Sequence, residues 1–191
     1  MTNAFYVALT FKLRTMGSLD RAESDKARYE SAWDHLGVSD EDLNKAVKNV
    51  VGTADTDVLL PFAERLWNEP VWEFKVAGLR ALALEHVDAS DDLWKFVLAC
   101  VGQLDGLGFS DNLAPVAEKC LLADQARFDD VEKWAASRHK WTRRAAVAFT
   151  LPKAVADAAS SRISAWAESL KDDKEAVVKD AATAWLAANG G

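Results

Sequence analysis

The feature that most constrains this chain is the helical spacing of its apolar residues over long stretches without breakers. There are four prolines and nine glycines in 191 residues, and the segments between them put apolar side chains three and four residues apart. In "DDLWKFVLACVGQL", Leu93, Val97, Cys100, Val101 and Leu104 share one stripe, with Asp91 or Asp92 expected as the cap. "DTDVLLPFAERLW" aligns Leu59, Phe62, Ala63, Leu66 and Trp67, with Pro61 expected near the first turn, where it is tolerated. "KDDKEAVVKDAATAWLAANGG" aligns Val177, Val178, Ala181, Ala182, Trp185 and Leu186, capped by Asp172 or Asp173 and closed by Gly190. No alternating run and no Asn-Gly hairpin signal competes with this pattern, so the expected fold class is all-α.

The stretch "PVWEFKVAGLRALALEHV" is apolar on two sides. Trp72, Val76, Leu79 and Ala83 form one stripe, and Phe74, Gly78, Ala81 and Leu82 another. Such a helix lies between two neighbours, as the inner helices of an α-solenoid do. The links are short and polar, and none is rich in Pro, Gly or Ser. The expectation is a single domain over residues 1–191 whose repeats are structural, since no strict sequence period is present.

Half of the residues are hydrophobic, enough for a substantial core, and the formal charge is −7 with a pI near 5.0. That balance argues against a generic nucleic-acid coat but leaves room for a local basic site. Cys100 and Cys120 sit among apolar neighbours and read as buried reduced thiols. At the N-terminus the basic residues follow the short apolar run, the reverse of a secretory signal, and no segment approaches the ~18 apolar residues of a membrane span. The chain reads as cytoplasmic. His35, His86 and His139 are isolated, no phosphate-binding or nucleophile motif is present, and no metal or cofactor is expected. "SDEDLNKAVKNVVGTADTD" has the acidic residues of a calcium loop in the wrong order and reads as two helix caps.

One segment stands apart. In "KWAASRHKWTRRAAVAF" Arg138, Lys140, Arg143 and Arg144 cluster between Trp134 and Trp141. On composition alone this is two anchoring indoles and a solvated basic face. Consecutive residues of a helix point ~100° apart, so Arg143 and Arg144 cannot both face one groove, and one of them must snorkel or pair with a carboxylate.

The same segment resembles the W-x-x-S-x(3)-W-x-x-R-A-A stretch of the AlkD-like DNA alkylation repair proteins. "AESDKARYESAWDHLGVSDEDLNK" is similar to that family's amino-terminal segment leading into an LG(V/I) turn. "ERLWNEPVWEFKVAGLRAL" is similar to its LW helix pair, and "KEAVVKDAATAWLAANG" to its late Trp helix. The motifs keep their order from about Lys26 to Asn189. The resemblance implies a HEAT-like α-solenoid of antiparallel helix pairs with a concave face that takes duplex DNA. It implies a monomer without a membrane, and hydrolysis of the N-glycosidic bond of cationic N3- or N7-alkylpurines. Such a base is already a good leaving group, so the chemistry reduces to stabilising an oxocarbenium-like sugar or directing water to it.

By that resemblance the carboxylate is Asp111, in "DGLGFSDNLAPV", the phosphate-binding arginine is Arg144 and the late-helix indole is Trp185. Arg143, Arg138, Lys140 and Trp141 would add to the DNA face. Leu107 stands where the family motif opens with Trp, and Gly108 where it has an inner Asp. Phe109 is the remaining candidate for an aromatic face there. Relatives of this kind carry further helices beyond the Trp185 helix, which implies a reduced flank. The residues themselves leave Asp111 open as a helix cap and Trp185 open as a core residue. Two other readings remain: a non-catalytic binder of damaged or branched DNA, and a HEAT-like protein-interaction module.

Overall fold

The computed structural model of the chain describes residues 2–189; Gly190, the expected terminator of the last helix, lies outside the described residues. The described residues form twelve α-helices and one 3-10 turn. They are α1 (Thr2–Met16), α2 (Leu19–Arg28), α3 (Asp40–Val51), α4 (Thr56–Trp67), α5 (Trp72–Leu82), α6 (Asp91–Val101) and α7 (Phe109–Ala123). After a 3-10 turn at Gln125–Arg127 come α8 (Phe128–Ala135), α9 (Lys140–Phe149), α10 (Lys153–Ala158), α11 (Ser160–Leu170) and α12 (Ala176–Asn189). The expected all-α class is what forms. Packing separates two compact units, Met1–Asp88 with Asp105–Asn112 and Ala89–Leu104 with Leu113–Gly191.

In the first unit, α5 lies against both α3 and α4, as its two apolar stripes require. All of its residues are buried except the half-buried Arg80. Two of the buried residues are charged. The Glu73 carboxylate, 1% exposed, accepts the backbone N–H groups of Leu36 (2.9 Å), Gly37 (2.7 Å) and Val38 (3.3 Å). Successive N–H groups in such a turn form a concavity for an anion, here filled by the protein's own carboxylate. The turn needs Gly37: its φ is 73°, and a Cβ would sit 2.1 Å from the carbonyl oxygen of Ser18. Lys75 donates from its ammonium to the Trp67 carbonyl and lies over the rings of Trp33 (3.9 Å) and Trp67 (4.9 Å). A lone parallel bridge, with Asp34 N–H on Pro70 O (3.1 Å) and Trp72 N–H on Asp34 O (2.8 Å), joins this loop to the start of α5.

Three cap expectations change, one of them at α12, which begins at Ala176, beyond both Asp172 and Asp173. Ser39 caps α3, its hydroxyl accepting from Asp42 N–H (3.1 Å), but Asp55 makes no side-chain cap on α4. The cap of α6 is Ser90, which accepts from Leu93 N–H (3.1 Å), while Asp91 and Asp92 fall in the first turn, where they complement the helix dipole. Pro61 lies in the middle of α4, beyond the first turn.

In the second unit α12 packs on α9 and α11. Trp185 is 0% exposed and its indole N–H donates to the Thr150 carbonyl (2.8 Å). Cys100 and Cys120 are buried and form no disulfide, and burial pushes the Cys120 thiol up from its ordinary value. Arg127 is buried between the Cys120 carbonyl (2.8 Å) and Asp91 (2.8 Å). Replacing Glu73 with alanine leaves three backbone donors without their acceptor. Glu73→Ala is expected to lower unfolding stability by about 3 kcal/mol and Glu73→Gln, which keeps one acceptor oxygen, by less, as read from urea midpoints.

Candidate functional site

Asp111 stands on a turn whose conformation is set by its neighbours. Gly106 and Gly108 have φ of 82° and 99°. The N–H of Leu107 donates to Tyr29 O (2.6 Å), and a Cβ on Gly106 would sit 2.6 Å from that same oxygen. A Cβ on Gly108 would lie 3.2 Å from both the Trp72 and the Tyr29 rings. An aromatic stack takes the space that a side chain at this position would need. Tyr29 and Trp72 lie nearly parallel at 4.6 Å, and His35 covers the indole at 5.2 Å. Burial pushes the Tyr29 phenol up and the His35 imidazole down, so His35 stacks as the neutral ring.

The Gly108 carbonyl accepts the first helical bond of α7, from Asn112 N–H (3.0 Å). Gly108 therefore occupies the cap position, and neither Ser110 nor Asp111 does. Asp111 lies in the first turn and is exposed. Its neighbour Asn112 is held on both sides, accepting from Arg80 Nε (2.9 Å) and donating to Gly108 O (2.8 Å). Arg80 is itself bound to Asp40 (2.5 Å) and Asn44 (3.1 Å). The turn is thus pinned before and after a carboxylate that reaches solvent. Phe109 does not supply the missing aromatic face: it is 1% exposed and meets Trp67 edge-on at 5.4 Å. Leu107 is half-buried.

The basic cluster lies in the second unit and divides by role. Arg143 is 7% exposed, and its Nε and Nη2 donate to the two oxygens of Asp173 at 2.7 and 2.9 Å. Its Nη1 donates to the carbonyls of Ser137 (2.9 Å) and Arg138 (3.0 Å). Arg143 therefore pairs with a carboxylate, and this replaces its expected place on a DNA face. Mutual hydrogen bonding raises the Arg143 guanidinium above its ordinary value and holds the Asp173 carboxyl below its own. Arg144 is half-buried on α9, Arg138 is exposed, and Lys140 lies over the Trp141 ring at 4.7 Å.

The indoles are corrected too. Trp141 is 5% exposed and Trp185 fully buried, so both serve the core and offer no face to a ligand. Trp134 is half-buried, near Trp94 (5.6 Å) and Phe149 (5.8 Å). The stack of Tyr29, His35 and Trp72 escaped sequence reasoning because its members come from positions that no local period connects. The glycines of "DGLGF" were its one visible trace. Among the described residues no group of three or more His, Cys, Asp or Glu could hold a metal, and no helix is long and apolar enough to cross a membrane.

These observations describe an all-helical protein with an exposed carboxylate on a fixed turn in one unit and a basic turn in the other. The family model described as DNA alkylation repair enzyme matches residues 9–190, and the chain belongs to that family. Among curated proteins no relative matches.

The pH dependence of stability follows from Asp173. Its folded-state pKa is depressed, so its contribution is full above the ordinary carboxylate value of 3.8 and is lost as pH falls through the lower folded value. At neutral pH Asp173→Asn leaves Arg143 buried without its counter-charge, at an expected cost of about 3 kcal/mol. The difference in urea midpoint between variant and wild type is expected to hold steady down to about pH 4 and to shrink below it.

Proposed function

We propose that this member of the DNA alkylation repair family is a DNA glycosylase, acting as one domain over residues 1–191 on cationic N3- or N7-alkylpurines in duplex DNA. The reading rests on one observation above the others: Asp111 is an exposed carboxylate on a turn held by Gly108, Asn112 and Arg80. A carboxylate carried on a turn that its neighbours fix keeps its position relative to a substrate that reaches it from solvent. That suits stabilisation of an oxocarbenium-like sugar or the aiming of a water. The departing alkylpurine leaves as a neutral base and needs no acid. Arg144, Arg138 and Lys140 would neutralise backbone phosphates, which supplies affinity without sequence preference.

The buried indoles favour a second reading, a non-catalytic binder of damaged or branched duplex on the same scaffold. With Trp141 and Trp185 in the core and Leu107 in place of an aromatic, few ring faces are left to attract a cationic base. A helical protein-interaction module is the reading that remains if duplex DNA is not bound. Release of N7-methylguanine from duplex DNA separates these. Wild type is expected to release the base, and Asp111→Asn to slow release by about 10²–10⁴-fold with duplex affinity retained. Equal release by both proteins removes Asp111 from the chemistry. No release with intact duplex binding leaves the binder.

A further inference from the structure

We infer that His35 is a positioning residue for Asp111 and makes the placement of that carboxylate depend on pH: the neutral imidazole completes the aromatic stack behind the turn at Gly106 and Gly108, and the protonated ring leaves it. The inference rests on the glycosylase reading above and adds a regulation of the same site.

The ring is held by stacking and not by hydrogen bonds. It lies 5.2 Å from the Trp72 indole and 6.2 Å from the Tyr29 ring, at interplanar angles of 18° and 10°. Both of its nitrogens are buried, and neither has a hydrogen-bond partner among the described residues. A neutral imidazole leaves one donor unsatisfied there. An imidazolium brings two donors and a full charge, which burial without partners penalises. Asp25 and Lys26 on α2, Asp34 in the same loop and Glu73 on α5 face the ring. Burial is the largest influence and lowers the imidazole from its ordinary value; Glu73, Asp25 and Asp34 pull the other way, and Lys26 sides with burial. The Glu73 oxygens are already engaged by the N–H groups of Leu36, Gly37 and Val38. Inside the stack the cation would keep its attraction to the indole face, but His35 is half-buried, and water offers partners for the charge and for both N–H groups.

The backbone does not follow the ring. Asp34 on one side is bridged to Pro70 and Trp72, and Leu36 on the other is bound by Glu73. Protonation therefore moves the side chain and leaves the loop in place. What it removes is the ring that covers Trp72. A Cβ at 108 would lie 3.2 Å from that indole, and Tyr29, stacked on the same indole, accepts the Leu107 N–H (2.6 Å). The turn loses part of the wall that fixes it, and Asp111 its fixed place. A displacement of about 1 Å costs a catalytic group up to about 10²-fold in rate. Because the folded-state value lies below the ordinary 6.5, the contribution of the ring is complete above pH 6.5 and is lost as pH falls through the folded value.

The test pairs NMR with kinetics from about pH 7.5 to about 4.5, above the ordinary carboxylate range of about 4. The His35 ring and the Gly108 amide are followed in wild type. Release of N7-methylguanine from duplex DNA is measured for wild type and His35→Phe, each relative to its own rate at the upper pH. The ring is expected to titrate with a midpoint below 6.5, and the Gly108 amide to shift with the same midpoint. Wild-type release is expected to fall about tenfold through that midpoint. His35→Phe, whose ring stacks but takes no proton, is expected to lack that fall. A Gly108 amide that does not follow the ring, or the same acid limb in both proteins, overturns the inference and leaves the glycosylase reading standing. No release by wild type at any pH overturns the glycosylase reading, and the NMR titration then decides by itself whether ring and turn are coupled.

Discussion

The carboxylate of Glu73 is the contact on which the turn that carries Asp111 depends. It lies in the first turn of a buried helix and holds three consecutive backbone donors from the loop before α3. With the Asp34 bridge to Val71, it fixes that loop against the start of α5. Tyr29 and His35 are thereby laid against Trp72. The resulting stack is the wall on which Gly106 and Gly108 rest, and their turn presents Asp111. A buried charge is costly unless each of its lone pairs is used, and here they are used to shape a segment that carries no regular structure of its own.

The second unit repeats the logic with the opposite sign. A buried guanidinium ties together the α8–α9 turn and the α11–α12 link, two stretches far apart in sequence. Four of the five N–H donors of Arg143 are taken inside the chain. The concentration of positive charge in an acidic chain is thus two things at once: a structural cation facing inward, and a remainder at the surface.

Much of this was legible in sequence. The two-sided apolar pattern of "PVWEFKVAGLRALALEHV" requires a helix with neighbours on both sides, and α5 has them in α3 and α4. The ~100° step between adjacent helical residues requires one of Arg143 and Arg144 to turn away. It does not say which, because the deciding partner, Asp173, lies 30 residues further on. Trp185 shows two signals in conflict, since its spacing with Val178 and Ala182 spoke for the core and family resemblance for a surface role. The spacing prevailed, because Thr150 offers its indole an acceptor inside. Asp111 failed as a cap for a similar reason. Preference tables favour Ser and Asp over what stands at Gly108, but the close approach of Trp72 decides where the helix begins. Contacts between distant segments overrode local preference at each of these positions.

The meeting of Gly108 with Trp72 also couples two distant positions of the chain. They lie 36 residues apart, yet a Cβ at 108 would lie 3.2 Å from the indole, and the backbone at Gly108 is one that other residues seldom adopt. What either position tolerates is therefore set partly by the other: a smaller residue at 72 would give room at 108 without relieving the strain of its backbone. The two act as one unit of packing, although nothing in the local sequence links them.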